Sequence, residues 1–282
     1  MNEVQAMKRS IADRLSGYYD AREADTLARL LLQEAGGMSY PRLVLDGGKF
    51  TENHRVLLEE WTERLLSHEP IQQILGYAYF GNLRLRVTPD TLIPRPETEE
   101  LCHKIIERGF LKPGDRVLDL GTGTGAIALF LKSAVPEAEV HALEASPNAL
   151  AVAEANALSL GLEVTFHEMD MLHYRDLGPF DLLVSNPPYI LPSERKQMDP
   201  HVLDFEPDTA LFVPQDDPAL FYRVIVEKVT PFLKPGGHIA LELNPLTADY
   251  VRALYEEAGI GNISLEEDLF GKKRFLFAEK MP

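Results

Sequence analysis

The segment Val117-Leu-Asp-Leu-Gly-Thr-Gly-Thr-Gly125 joins a short apolar run to a glycine-rich turn, and an apolar segment, residues 126–131, follows it directly. A short apolar run that ends at glycine indicates a buried β-strand, and the apolar segment after the turn favours a helix. Glycines between a strand and a helix let a ligand approach the backbone at a helix N-terminus. The segment therefore predicts an α/β fold with a ligand site at the end of this strand.

Strands and helices continue to alternate towards the end of the chain, with helices predicted at residues 147–158, 220–229 and 247–258. Further runs are interpreted as strands at residues 140–143, 164–166, 181–185, 238–243, 263–265 and 274–278. Repeated βα units favour a largely parallel sheet with helices on both faces. In open sheets of this kind, ligands bind at the carboxyl ends of the strands. The residues that follow the predicted strands are therefore the candidates for a functional site.

The first quarter of the chain has a helical pattern instead. Apolar residues recur there at steps of three and four, Asp20 and Thr51 stand at N-cap positions, and Gly36-Gly37 ends one helix. Residues 77–87 then change to a period of two and turn at Gly81-Asn82, which predicts a β-hairpin. We expect three parts: a helical bundle over residues 1–75, a hairpin and linker over 76–95, and the α/β domain over 96–282.

The bulk composition restricts the class of protein. Of 282 residues, 45% are hydrophobic and 26% charged, with no apolar run of membrane-span length and no apolar signal segment. We therefore expect a cytoplasmic protein with no membrane partner, and a monomer. One cysteine, Cys102, excludes an internal disulfide and a cysteine-based zinc site, and we expect no bound metal. The formal net charge of −16 argues against direct nucleic-acid binding, which normally requires a basic face.

The residues after the first three strands of the α/β domain predict a nucleotide-like ligand. Gly121, Gly123 and Ala126 satisfy the loose dinucleotide pattern, and Glu144 falls near the position of the acid that binds ribose hydroxyls. Asp119 changes this interpretation, because a carboxylate beside the loop repels a pyrophosphate but suits a cationic sulfonium ligand with a free amino group. S-adenosylmethionine is therefore favoured over a dinucleotide, although a dehydrogenase remains an alternative.

The candidate cofactor-binding residues share a position at or just beyond a strand end. They are Asp119, Gly121, Thr122, Gly123, Thr124, Gly125, Glu144, Asp170, Met171 and Asn186.

Residues 186–189 form the second candidate site. The strand predicted at residues 181–185 runs into Asn186-Pro-Pro-Tyr189, and the two prolines end it because they cannot donate to a sheet. The side-chain carbonyl of Asn186 and the backbone carbonyl of Pro187 can accept hydrogen bonds from a planar NH2 group, and the ring of Tyr189 can cover that group. The alternative interpretation is an ordinary proline-rich turn. Taken alone, this segment leaves both open.

Taken together, these motifs resemble those of a known enzyme family. DLGTGTG followed by VSNPPYI resembles the class I S-adenosylmethionine-dependent methyltransferases that modify planar NH2 groups. The sequence EPIQQILGYAYFGNLRLRVTPDTLIPRPETE, residues 69–99, narrows the resemblance to the HemK family of peptide chain release factor glutamine methyltransferases. Further matches lie at Phe205-Glu206-Pro207, Pro235-Gly236-Gly237 and Asp268-Leu-Phe-Gly271. The resemblance implies a Rossmann-like methyltransferase domain with a small N-terminal helical domain and a hairpin linker.

The resemblance also implies an activity. Members of this family transfer a methyl group from S-adenosylmethionine, leaving S-adenosylhomocysteine, to the amide nitrogen of the glutamine in a release factor's Gly-Gly-Gln loop. Carried over, Asn186, Pro187 and Tyr189 are the catalytic residues, and these three with Pro188 hold the glutamine. We expect Arg95 to contribute to substrate binding as well. The helical domain would help to dock the release factor.

Alternatives with other substrates or no activity stay open. They are a methyltransferase acting on the exocyclic amino group of adenine or guanine in nucleic acid, one acting on a ribosomal protein glutamine, and a non-catalytic partner protein. Asn244-Pro245 departs from the glycine and glutamine that the family commonly shows there. The role of the PRPETE segment, residues 94–99, is a hypothesis: we expect it to pack beside residues 186–189 and to order them.

Overall fold

The computed structural model describes residues 2–282. The helices, in chain order, are α1 Glu3–Leu15, α2 Ala21–Gly36, α3 Tyr40–Leu45, α4 Glu52–Leu66, α5 Ile71–Leu75, α6 Pro96–Glu107, α7 Ala126–Ala134, α8 Pro147–Leu160, α9 Pro200–Phe205, α10 Asp208–Leu211, α11 Leu220–Val224 and α12 Ala248–Glu257. The strands are β1 Tyr77–Phe80, β2 Leu83–Arg86, β3 Arg116–Leu120, β4 Glu139–Glu144, β5 Thr165–Glu168, β6 Phe180–Ser185, β7 Leu233–Glu242, β8 Gly261–Glu267 and β9 Lys273–Glu279. No helix among these described residues is long and apolar enough to cross a membrane.

The chain divides into two compact units. One contains the chain up to Leu75 together with Pro200–Phe205, and the other contains Gly76–Asp199 and Glu206–Pro282. The hairpin β1–β2, with its turn at Gly81-Asn82 as predicted, lies in the second unit. Helix α9 belongs by its contacts to the first unit, although it follows Asn186–Tyr189 of the second unit in sequence.

The helical unit is built from helices whose ends carry the predicted caps. The Asp20 carboxylate accepts hydrogen bonds from the first-turn amides of α2, and Gly37 ends that helix in the left-handed conformation. The Thr51 hydroxyl accepts from His54 N at the start of α4. The short helix α3 was not predicted from sequence, because six residues are too few to show a helical period.

Helix α9 is held in the helical unit by hydrogen bonds to α5 and to the loop before it. Gln73 Nε2 donates to Phe205 O over 2.7 Å, and His201 Nδ1 lies 2.5 Å from His68 O. The residues between Ile190 and Ala219 form short helical turns for which the sequence pattern gave no prediction.

The second unit contains a seven-stranded sheet in the order β5-β4-β3-β6-β7-β9-β8. Strands β3 to β7 are parallel to one another, and β9 is antiparallel to both of its neighbours, β7 and β8. Alternate residues of β3 belong to different cores: Val117 packs with the hairpin, α6 and α7, whereas Leu118 packs with α11 and α12. The strand order reverses at β3, so the carboxyl ends of β3, β4 and β6 form the edge at which such sheets bind ligands.

Two element boundaries differ from the sequence prediction. Strand β7 begins at Leu233 and so includes Gly236-Gly237, whereas the sequence predicts a strand only from residue 238. The helix expected over residues 220–229 is α-helical only to Val224 and continues as a π-helical turn, Ile225–Val229. Gly236 N donates to Lys280 O, and Lys280 N donates to Gly237 O, directly after the end of β9. This pairing extends β7 over the two glycines, and glycine and turn composition alone does not show it.

Candidate active site

Asp119 lies at the carboxyl end of β3 and is completely buried. One carboxylate oxygen, Oδ2, accepts a hydrogen bond of 2.5 Å from the Thr122 hydroxyl, while Oδ1 has no partner among the described residues. Burial raises the pKa of this carboxyl to about 7, against the opposing effects of the Thr122 hydrogen bond and of the Ala128 backbone amide. A buried carboxylate oxygen without a donor is a strong acceptor for a ligand cation.

The glycine loop is tied to the neighbouring strand by backbone hydrogen bonds. Gly121 N and Thr122 N both donate to Leu143 O in β4, over 2.9 and 3.0 Å. Gly123 has a φ of 56°, and a side chain there would meet no other atom within 4 Å. The backbone conformation, and not crowding by protein atoms, therefore favours glycine here, and the space beside the loop stays open.

Glu144, at the end of β4, is oriented by two backbone amides. Its Oε2 accepts from Gly123 N and its Oε1 from Ser146 N, both over 2.9 Å. Each carboxylate oxygen keeps a free lone pair. The side chain is held in one orientation and can still accept hydrogen bonds from two hydroxyl groups. We call Asp119, the loop Gly121–Gly125 and Glu144 the glycine-loop side.

Asp170 and Met171 follow β5. The Asp170 carboxylate accepts from Leu172 N over 2.8 Å and lies 3.0 Å from His173 Nδ1, with 41% of the side chain exposed. Met171 is buried, and its Cε lies 3.3 Å from where a side chain on Gly121 would begin. The structure thus brings Met171 against the glycine loop and leaves Asp170 capping a short turn.

Asn156 also belongs to this neighbourhood, although it is not among the residues predicted from sequence. Its Nδ2 donates to Thr124 O and Arg86 O, and its Oδ1 accepts from Arg86 N. This buried amide therefore ties the glycine loop to the hairpin. An asparagine in the middle of an apolar helix was the only available signal.

Asn186 begins the candidate acceptor segment at the end of β6. Its Nδ2 donates to Thr98 Oγ1 over 2.9 Å, and Thr98 belongs to the PRPETE segment at the start of α6. Ser185, directly before it, donates to Leu120 O over 2.6 Å and holds β6 against β3. The acceptor segment and the glycine loop therefore start from adjacent strands.

A buried carboxylate at the end of β7, Glu242, links both ends of the acceptor segment. Thr98 Oγ1 donates to Glu242 Oε2 over 2.6 Å, and the Tyr189 hydroxyl donates to Glu242 Oε1 over 2.9 Å. Tyr222 donates to the backbone carbonyl of Glu242 over 2.9 Å. Burial raises the pKa of Glu242, while the hydrogen bonds from Thr98 and Tyr189 and the charge of Arg274 act in the opposite direction.

We call Asn186–Tyr189, Thr98 and Glu242 the acceptor side. Thr98 and Glu242 were not selected from sequence as site residues, because each lies far from Asn186 in the chain. Tyr189 is only partly buried, and its hydroxyl binds Glu242, so the orientation of its ring is set by the protein.

Two further residues singled out from the sequence, Arg95 and Asn244, differ in whether they contact residues 186–189. Arg95 forms an ion pair with Glu206, whose Oε2 accepts from Ile93 N over 2.9 Å. No hydrogen bond between Arg95 and Asn186–Tyr189 is found in residues 2–282. Asn244, the departure from the family pattern, donates to Tyr189 O and to Glu194 Oε2 over 3.1 and 3.0 Å. It therefore supports the end of the acceptor segment.

Comparison with protein families gives two matches. The PrmC N-terminal domain matches residues 7–76, and the Methyltransferase small domain matches residues 101–202. Among curated proteins, a release factor glutamine methyltransferase of Bacteroides thetaiotaomicron is 40% identical, covering 99% of this chain and 100% of the relative. One from Flavobacterium psychrophilum is 35% identical, with 97% and 98% covered. One from Deinococcus radiodurans is 40% identical, with 90% of each covered.

Solved structures resemble the chain in fold. A methyltransferase from Pyrococcus furiosus aligns with a TM-score of 0.53 and 20% identity, covering 79% of this chain and 100% of that one. A 16S rRNA methyltransferase of Thermus thermophilus, solved with AdoMet and guanosine, aligns with a TM-score of 0.53 and 22% identity, covering 72% and 49%. At these identities the likeness concerns the architecture alone.

Proposed function

Because the chain belongs to the family of release factor glutamine methyltransferases, we propose that it methylates the glutamine side-chain amide nitrogen in the Gly-Gly-Gln loop of peptide chain release factors. The chain is a methyltransferase, and its family membership implies S-adenosylmethionine as the methyl donor. The observation that carries the proposal is the pair of adjoining sites at one sheet edge: a glycine loop with a buried carboxylate, and an amide acceptor segment on the next strand.

The glycine-loop side fits the cofactor. The unpartnered Oδ1 of Asp119 suits a cationic amino group, and the preoriented carboxylate of Glu144 suits the ribose hydroxyls. Met171, against Gly121, offers an apolar surface for a base. The bound cofactor would supply an electrophilic methyl group on a sulfonium.

The acceptor side fits a primary amide. Asn186 Oδ1 and the carbonyl of Pro187 can each accept one N–H of the glutamine NH2 group, while Tyr189 covers its plane. Drawing on both N–H bonds favours a pyramidal nitrogen, which frees a lone pair that is otherwise delocalised into the carbonyl. Orientation of this kind lowers barriers by about 7–11 kcal/mol in favourable cases. No histidine or lysine lies among the acceptor-side residues to act as an obvious general base, so we expect the proton to leave after methyl transfer and not before it.

Charge supports a protein substrate over nucleic acid. The net charge of −16 opposes binding of a polyphosphate chain, whereas a basic protein surface would be attracted. We further propose that the helical unit contributes to docking the release factor, and that Arg95 contributes to substrate binding through the segment that it holds with Glu206.

The test is incubation with labelled S-adenosylmethionine and a release factor. Parallel reactions contain the same release factor with its loop glutamine replaced by alanine, ribosomal protein and ribosomal RNA. We expect label on the wild-type release factor alone. Label on RNA, or label that persists after the glutamine replacement, would refute the proposed substrate.

A further inference from the structure

The orientation of the Asn186 side chain decides what it offers to a substrate. A primary amide has a carbonyl on one side and an NH2 group on the other, and the two are nearly equal in shape. Only the orientation with Oδ1 towards the substrate provides an acceptor for the glutamine NH2 group. The opposite orientation places two donors against two donors, which is repulsive. Something in the protein must distinguish the two orientations.

The hydrogen bonds around Glu242 allow only one of the two orientations of the Asn186 amide. As a carboxylate, Glu242 has only acceptors, and both of its oxygens are occupied by hydroxyl groups, from Thr98 over 2.6 Å and from Tyr189 over 2.9 Å. A hydroxyl has one proton. Thr98 donates its proton to Glu242, so its oxygen can only accept on the side that faces Asn186. The group that meets it over 2.9 Å must be Nδ2 of Asn186.

Thr98 and Glu242 are buried, so water cannot replace either partner of the Thr98 hydroxyl. Thr98 is 5% exposed and Glu242 1% exposed, so neither can exchange its partner for solvent at low cost. The chain of donors therefore runs in one direction, from Asn186 Nδ2 to Thr98 and from Thr98 to Glu242. With Nδ2 engaged, Oδ1 is the end of the amide that remains for a ligand.

We propose that Thr98, held by Glu242, is a positioning residue that fixes the Asn186 amide with its carbonyl oxygen towards the substrate nitrogen. The same carboxylate holds the Tyr189 hydroxyl, so one buried group sets both ends of the acceptor segment. This gives the PRPETE segment a role, because its threonine determines which end of the Asn186 amide faces the substrate. The inference rests on the proposed function, since it concerns an amide acceptor.

The test is a double-mutant cycle between Thr98 and Asn186. Thr98→Val keeps the shape of the side chain and removes the hydroxyl, so Asn186 loses its preferred orientation. We expect single-turnover methyl transfer at saturating cofactor and release factor to fall about tenfold, the usual effect of one hydrogen bond in a low-dielectric site. In an Asn186→Ala background the same change should alter the rate less than about twofold, because the residue through which Thr98 acts is absent.

Two matched variants separate positioning from folding. Thr98→Ser restores the hydroxyl and should recover the rate to within about twofold of wild type, since the hydrogen bond re-forms. Thr230→Val removes a buried threonine hydroxyl that bonds to Val226 O, away from the acceptor side, and should leave the rate unchanged. Affinity for S-adenosylhomocysteine, measured by calorimetry, should match wild type in every folded variant. If Thr98→Val does not fold, Thr98→Ala takes its place with the same readings.

The outcomes distinguish this inference from the proposed function. An inactive wild-type protein on release factor would refute the function. An active wild type, an impaired Asn186→Ala and a Thr98→Val with normal rate would overturn the positioning role alone. A tenfold loss that persists in the Asn186→Ala background would also overturn it, because Thr98 would then act by another route.

Discussion

The glycine-loop side and the acceptor side are built from different kinds of contact. On the glycine-loop side the partners are close in sequence: Thr122 binds Asp119 three residues away, and Gly123 binds Glu144 at 21 residues. On the acceptor side Asn186 binds Thr98 at 88 residues, and Thr98 binds Glu242 at 144 residues. Partners that lie in one βα unit form a motif that can be recognised in the sequence. Partners separated by about a hundred residues appear there only as isolated polar residues. The two sides should respond differently to mutation.

The largest expected effect is at Asn186. Asn186→Ala removes an acceptor aimed at the reacting nitrogen and should lower single-turnover methyl transfer about a hundredfold, with binding of S-adenosylhomocysteine nearly unchanged. Asn148→Ala, at an exposed asparagine of α8, is the matched control. A rate within a few-fold of wild type would mean that the acceptor side is not where the amide is held.

The second-largest effect is expected on the glycine-loop side, in the pH dependence of cofactor affinity. Because the pKa of Asp119 is raised to about 7, the carboxyl is largely neutral at pH 6 and largely ionised at pH 8. The ionised form binds a cationic amino group, so affinity for S-adenosylhomocysteine should increase about tenfold over this range. The affinity at each pH is measured by titration calorimetry.

Asp119→Asn is the control for this pH dependence. The amide has similar shape and no charge at either pH, so the variant should bind more weakly and lose the dependence on pH. An unchanged dependence in the variant would assign the titration to another group.

The third effect concerns Arg95. Removing its guanidinium leaves the buried Glu206 carboxylate with one partner fewer and loosens the segment before α6. Arg95→Ala should raise KM for the release factor about fivefold, the effect of about 1 kcal/mol, and leave cofactor affinity unchanged. Steady-state kinetics and calorimetry together decide this. Equal losses of substrate and cofactor binding would contradict a role of Arg95 in substrate binding.

The smallest effect is expected at Asn244. Asn244→Ala removes the donor to Tyr189 O and to Glu194, so the end of the acceptor segment becomes less ordered. The expected loss in kcat is about threefold, because only the hydrogen bond to Tyr189 O bears on the acceptor segment and a neutral hydrogen bond contributes about 1 kcal/mol or less. A loss as large as that of Asn186→Ala would indicate that Asn244 itself contacts substrate.

Most of the elements could be predicted, and the reasons are local. The caps Asp20 and Thr51, the turn at Gly81-Asn82 and the strand before the glycine loop depend on neighbours within a few residues. The placement of Pro200–Phe205, which belongs by its contacts to the helical unit, has no such local signal. That placement depends on hydrogen bonds to His68 and Gln73, which lie more than a hundred residues earlier.

The candidate site divides in the same way. Asp119, the glycine loop, Glu144 and Asn186–Tyr189 were all identified from the chain alone, because each stands where an apolar strand ends and a parallel sheet gathers such ends along one edge. The tertiary structure supplied Thr98, Glu242, Asn156 and Asn244, whose roles depend on partners from other strands and helices. The direction in which a buried hydrogen bond runs follows from counting protons among several side chains. A linear sequence contains that information only once the fold has brought those side chains together.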